Sequence, residues 1–208
     1  MKKVMYVLLI AFLLLAYAPA YAQQCDPSGM SLDPFELRKQ ETVSWCWAAS
    51  AQMTMQFHGK TEAQCFIVDV TYRDDLDDLG ISTCCGGNEN LRGCIRRGWP
   101  DTAFDTFDFR YSLRKVVENR APLLTWSQIT NQICQRRPFI FAMEWAGGGK
   151  HTYVVKGYEI DSGDGEQVVW IYDHNSDEFT ELPFDVFLNG LNVGDKHYRD
   201  YINVHPER

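Results

Sequence analysis

Gln40-Glu41-Thr42-Val43-Ser44-Trp45-Cys46-Trp47-Ala48-Ala49-Ser50 is the stretch on which the reading of the chain turns. From Ala48 to His58 neither proline nor glycine interrupts a run of small and long side chains, and Gly59 stands where helices commonly stop. Ser44 or Thr42 is expected to cap the start. Cys46, Ala49, Met53 and Phe57 recur at helical spacing and are expected on one face. Cys46 then falls in the first turn, where unpaired amides and the helix dipole favour a thiolate. The plainer reading is a buried or disulfide-bonded cysteine beside a core tryptophan. The rest of the chain decides between the two.

The start of the chain reads as a secretory signal peptide over 1–22. Lys2 and Lys3 precede an apolar run from Val4 to Ala18, and Ala20-Tyr21-Ala22 has the small-x-small pattern of a cleavage site. The run is short for a membrane span, and no lipid-attachment motif precedes Cys25. The expectation is a secreted or periplasmic protein of one domain, 23–208, with no membrane anchor after cleavage. Losing the two lysines takes the formal charge from −8 to −10. So acidic a chain lacks the basic surface that nucleic acid or an anionic membrane requires.

Seven cysteines follow the signal: Cys25, Cys46, Cys65, Cys84, Cys85, Cys94 and Cys134. An exported chain keeps disulfides, and an odd count leaves one thiol over. If Cys46 is that thiol, the other six form three bridges whose connectivity the sequence does not choose. The adjacent Cys84 and Cys85 are expected to take different partners. No C-x2-C pair with matching histidines suggests zinc.

Residues 23–39 read as an extended arm. Thr61-Glu62-Ala63-Gln64 has the pattern of a capping box for a second helix to about Tyr72. Arg73 to Gly80 reads as an acidic loop, and Ile81 to Asp105 as an irregular segment stapled by disulfides. A strand is expected over Phe104 to Tyr111 and a short helix over Ser112 to Asn119. Thr125-Trp126-Ser127-Gln128 is another capping box, with Pro138 closing its helix. Apolar strands follow at Phe139 to Trp145, His151 to Ile160 and Val168 to Tyr172, separated by the loop Gly147-Gly148-Gly149 and the turn Asp161 to Glu166. Helices first and an antiparallel sheet after argue an α+β fold.

A cysteine nucleophile needs a base, and the base needs an orienting group. His151 opens a strand directly after the triple glycine. Its rivals are weaker: His58 ends the cysteine's own helix, His197 and His205 fall in a polar tail, and only His174 competes. Antiparallel pairing about a turn near Ser162 or Gly163 sets His151 against residues 173 to 175. Asp173 and Asn175 share a parity, and Asp173, directly after the apolar run, is the stronger candidate. Both residue types are also ordinary turn formers. The Cys46 amide and the Gln40 side-chain amide can supply donors for an oxyanion.

A glutamine six residues before a Cys-Trp that opens a helix, with a later His at a strand start and an Asp after the next strand, resembles the papain-like cysteine peptidases. The nearest type is the small bacterial one, the staphopain and avirulence-protein kind. The resemblance spans about Gln40 to Phe187. It implies a papain-like fold, a helical part packed on an antiparallel sheet. It also implies Cys46 as nucleophile, His151 as base and acid, Asp173 as orienting group and Gln40 as oxyanion donor. No metal or organic cofactor is implied. Plant and lysosomal members carry Cys-Gly-Ser-Cys-Trp, whereas Val43-Ser44-Trp45-Cys46-Trp47 lacks the first Cys and the Gly. The expected partner is a protein or peptide substrate, with a separate inhibitor protein as a second candidate. Two other functions stand beside hydrolysis: transfer of the acyl group to an amine, or deamidation, by the same thioester, and a non-catalytic, disulfide-stapled binding module.

Overall fold

The helix after Gln40 runs from Cys46 to Phe57 (α1) and is buried along almost its whole length. Trp47, Ala48, Ala49, Ala51, Met53 and Met55 are all at most 1% exposed, and the polar Ser50, Gln52 and Thr54 are buried with them. The single apolar face expected from Cys46, Ala49, Met53 and Phe57 is therefore a correction: α1 is a central helix covered on every side. Small residues make this possible, because three alanines and a serine let neighbours approach the backbone closely. Its buried polar groups are satisfied. Gln52 donates to Glu62 O at 2.7 Å and Thr54 to Ser50 O at 2.9 Å. Neither Ser44 nor Thr42 caps the helix. Trp45 occupies the cap position with no side-chain bond, and Gly59, at φ +89°, follows the end.

The computed structural model describes residues 25–116, 121–176 and 178–207, so the signal segment 1–22 lies outside the described residues. Helices Gln64–Thr71 (α2), Arg73–Asp78 (α3), Pro100–Thr106 (α4), Trp126–Cys134 (α5) and Phe184–Asn189 (α6) accompany strands Gly29–Ser31 (β1), Phe109–Lys115 (β2), Phe139–Glu144 (β3), Lys150–Ile160 (β4), Gln167–Asp173 (β5), Phe179–Pro183 (β6) and Lys196–Pro206 (β7). The sheet is antiparallel, in the order β2-β7-β3-β4-β5-β6, with β1 paired to the far end of β4. One core joins α1 to α4 with Ile140, Val154, Tyr172, Tyr201 and Val204 of the sheet. A second gathers Phe139, Phe141, Tyr153, Val155 and Ile171 with Ile129 and Ile133 of α5 and Phe187 of α6. Adjacent strand residues thus feed different cores, which is why β3 is apolar from Phe139 to Met143. The architecture is α+β.

Several local expectations are corrected. Arg73 to Gly80 is not a loop: Asp74 and Asp75 sit in the first turn of α3, where the dipole favours them, and Leu76 is buried. Pro100 at the first position starts α4 inside the segment expected to be irregular, so Phe104 is helical and the strand begins at Phe109. Ser112 to Lys115 continues β2 rather than forming a helix, and 117–119 lie outside the described residues. The supposed polar tail of His197 and His205 is β7, which lies between β2 and β3. The capping box at Thr125 forms as expected, with Gln128 N–H donating to Thr125 and the Gln128 side chain accepting from the Thr125 amide.

Three disulfides are present: Cys25–Cys134 ties the N-terminal arm to α5, and Cys65–Cys85 and Cys84–Cys94 staple the irregular segment to α2 and to itself. The adjacent pair takes different partners. The stapled segment in turn grips α1. Trp45 Nε1 donates to Cys94 O at 2.9 Å and Trp47 Nε1 to Arg96 O at 3.1 Å. Gly98 lies against this grip, and a Cβ there would stand 2.7 Å from the Trp47 ring and 2.8 Å from Tyr72 Oη. Trp47 is fully buried and cannot yield. Gly98→Ala is expected to lower the unfolding free energy by about 1–3 kcal/mol, measured as a shift of the urea midpoint at unchanged slope.

Candidate active site

Among the described residues Cys46 is the one free cysteine. It opens α1, whose first-turn amides have no acceptor within the helix and no side-chain cap to serve them. The missing cap leaves that positive end free to act on the sulfur. Burial pushes the Cys46 thiol up. Hydrogen bonding from His151, the charge of His151, and bonds from the Thr152 amide and hydroxyl outweigh it, and the net pKa is lowered.

His151 is 4% exposed at the start of β4, and its Nε2 lies 2.9 Å from Asp173 Oδ1 at the end of β5. Burial disfavours its charged form, but the bonds to Asp173 and Cys46 prevail and raise its pKa to about 9. Asp173 is shifted the other way: burial raises it, and the His151 bond and the Asn175 amide lower it further. With Asp173 on Nε2, the other ring nitrogen is left for the sulfur. The three groups together favour a thiolate beside an imidazolium beside a carboxylate.

The register explains why Asp173 and not Asn175 meets the ring. Tyr153 pairs with Asp173, so the position directly opposite His151 belongs to Asn175. The chain leaves the sheet after Asp173, however, and the diagonal neighbour reaches the imidazole. Asn175 is exposed, and its backbone N–H donates to Asp173 Oδ1 at 3.0 Å. This parity depends on a β-bulge at Lys156, between the pairs Val155↔Ile171 and Gly157↔Trp170. Were the same residues paired in the turn-side phase throughout, Tyr153 would stand opposite His174, and His174 would share the face of His151. His174, the competing base, is instead buried beside Ser50 at 2.6 Å.

Gln40 lies in the segment before α1, its amide oxygen buried without a hydrogen-bond partner. Its backbone N–H donates to His174 O at 3.4 Å. What fixes this segment is Gln64, which sequence reasoning assigned to a capping box. That box does not form: α2 begins at Gln64 with Ala63 as an uncapped start. The Gln64 side chain turns to the residues flanking Gln40. Its nitrogen donates to Lys39 O at 2.6 Å and its oxygen accepts from Glu41 N–H at 3.0 Å.

Trp145 was also missed. Its ring stacks on His151, with centroids 5.6 Å apart and planes at 19°, and Tyr153 meets the imidazole edge-on at 4.8 Å. The triple glycine is a tight turn that closes on this tryptophan: Trp145 N–H donates to Gly149 O and Gly148 N–H to Trp145 O. Gly148 and Gly149 both have positive φ, and a Cβ on Gly149 would press the indole at 3.3 Å.

Comparison with solved structures gives the class first. The chain superposes on procathepsin L 3 of Tenebrio molitor larval midgut with a TM-score of 0.52 at 12% identity, covering 88% of this chain and 71% of that one. A structure on the mite allergens Blo t 1 and Der p 1 gives 0.51 at 15% identity, over 89% and 73%. The peptidase domain of Streptococcus ComA, a bi-functional ABC transporter, gives 0.46 at 16% identity, over 83% and 99%. The fold is papain-like. Residues 32–189 match the Peptidase_C39 like family, and the chain belongs to that family, at whose level it is a cysteine peptidase. No curated protein matches the chain.

Asp173→Ala is expected to reduce turnover about ten- to a thousand-fold and to move the alkaline limb of the pH–rate profile to lower pH, because His151 loses the bond that raises it. Asn175→Ala keeps the backbone N–H on the carboxylate and is expected to stay within about threefold of the unchanged protein. Peptide hydrolysis measured across pH on both variants distinguishes them.

Proposed function

We propose that the protein is a secreted cysteine endopeptidase of the small bacterial staphopain and avirulence-protein type, acting on protein or peptide substrates through a Cys46 thioester. The observation that carries this reading is a single unpaired thiol at a helix start, its charged form favoured by a buried histidine that a carboxylate holds at 2.9 Å. Three disulfides and the N-terminal 1–22 support export. Among the described residues no helix is long and apolar enough to cross a membrane.

In this scheme the Cys46 thiolate attacks the scissile carbonyl carbon and the carbonyl π electrons move to oxygen. The Cys46 backbone N–H and the Gln40 side-chain NH2 donate to that oxyanion. His151 gives its proton to the leaving amine as the C–N bond breaks, leaving a thioester. It then takes a proton from water, whose oxygen attacks the thioester, and the acid product leaves as the sulfur regains its charge. Asp173 holds the ring in one orientation and stabilises its charged form. No step calls for a cofactor.

Cys46→Ala is expected to abolish hydrolysis of a casein or peptide-library substrate, a loss of at least about a thousandfold, with the fold retained by circular dichroism. Full activity in that variant refutes the reading. The ion pair exists above the lowered Cys46 pKa and below that of His151, so the rate is expected to rise from acid pH, at a midpoint below the usual thiol range, and to fall again near pH 9.

A further inference from the structure

Edge-on to His151, with ring centroids 5.9 Å apart, lies a second histidine that hydrolysis does not use. His174 is 1% exposed. Burial, together with the charge of His151, pushes its pKa down to about 3, so it stays neutral. Its Nε2 is 2.6 Å from Ser50 Oγ, and Ser50 Oγ is 2.9 Å from Thr152 Oγ1. Ser50 is fully buried and Thr152 is 2% exposed. Thr152 in turn acts on the Cys46 sulfur, whose charged form its amide and its hydroxyl both favour. Each member neighbours one of the reacting groups: Ser50 lies one helical turn after Cys46, Thr152 follows His151, and His174 follows Asp173.

The direction of donation along this chain is constrained. A hydroxyl has one hydrogen to give, and a neutral imidazole has one N–H. If that hydrogen is on Nε2, His174 donates to Ser50, Ser50 to Thr152, and Thr152 to the sulfur. If it is on Nδ1, it faces the Arg38 carbonyl at 3.4 Å, every hydroxyl turns round, and the sulfur loses a donor. The 3.4 Å contact is the weaker one, so giving it up costs little, and a negative sulfur selects the first arrangement.

We propose that Thr152, Ser50 and His174 are positioning residues for the Cys46 thiolate, a buried chain whose donors all run toward the sulfur and whose direction the His174 ring sets. The proposal rests on Cys46 being the nucleophile. The titratable groups around the sulfur are His151 and Tyr153 on β4 and Asp173 and His174 at the end of β5, with Asp195 acting on Tyr153. Thr152→Val leaves all of them in place and removes only the hydroxyl.

The test is the rate of Cys46 alkylation by iodoacetamide as a function of pH, on the full chain with its disulfides intact, which needs no substrate. In Thr152→Val the midpoint is expected to rise by about one pH unit and kcat to fall about tenfold at little-changed KM, with Thr152→Ser restoring both. Ser50→Ala is expected to shift the midpoint the same way. Combining it with Thr152→Val adds nothing further, because the chain is already cut at the sulfur. Long-range nitrogen–proton NMR is expected to find the His174 proton on Nε2. A folded Thr152→Val with an unshifted midpoint, or a His174 proton on Nδ1, overturns the proposal. An unsubstituted protein that alkylates like an ordinary thiol, with a midpoint near about 8.5, overturns the nucleophile reading beneath it, and that is seen before any variant is made.

Discussion

A helix covered on every side has only its ends free for chemistry, and this constraint organises the molecule. α1 is enclosed by the sheet, by α2 to α4 and by the disulfide-stapled segment, and Cys46 stands at its N-terminal end, only partly buried. The two tryptophans flanking Cys46 donate to the stapled segment. Cys84–Cys94 and Cys65–Cys85 thereby act on the site at one remove, by holding the carbonyls that hold the indoles that hold the helix start.

Burial works against each charge of the site taken singly: it disfavours the thiolate, the imidazolium and the carboxylate alike. The alternating row opposes this: each charge favours its neighbour's, and the His151–Asp173 hydrogen bond lies in surroundings where such bonds are strong. Trp145 adds a flat wall over the imidazole and shields it from water on one side.

Much of this was legible in the sequence because it is local. The run Ala48 to His58 without breakers, the box Thr125 to Gln128, and the β-branched and aromatic runs of β3 to β5 each carry their own signal. So did the pairing of a cysteine helix with a histidine strand. What escaped was set by distant partners. β7 reads as polar because His197 and Asp200 satisfy one another at 2.6 Å inside the sheet, and a pairing across three residues in a buried strand leaves no apolar period. Gln64 has the position of a capping residue, but the segment before α1, more than twenty residues away, recruits it. The tryptophan over His151 carries no periodic signal either; only the turn that follows it hints that the loop is built rather than slack.

The bulge at Lys156 has a consequence beyond local twist. Between the turn 161–166 and the bulge, paired positions keep one phase; beyond it they keep the other, and the second phase assigns a carboxylate to His151. The site is therefore keyed to a count of residues as well as to their identity. The turn can lengthen without changing what the histidine sees. Were the same residues paired in the turn-side phase throughout, without the bulge, Tyr153 would stand opposite His174, and a second imidazole would replace the carboxylate beside the cysteine–histidine pair.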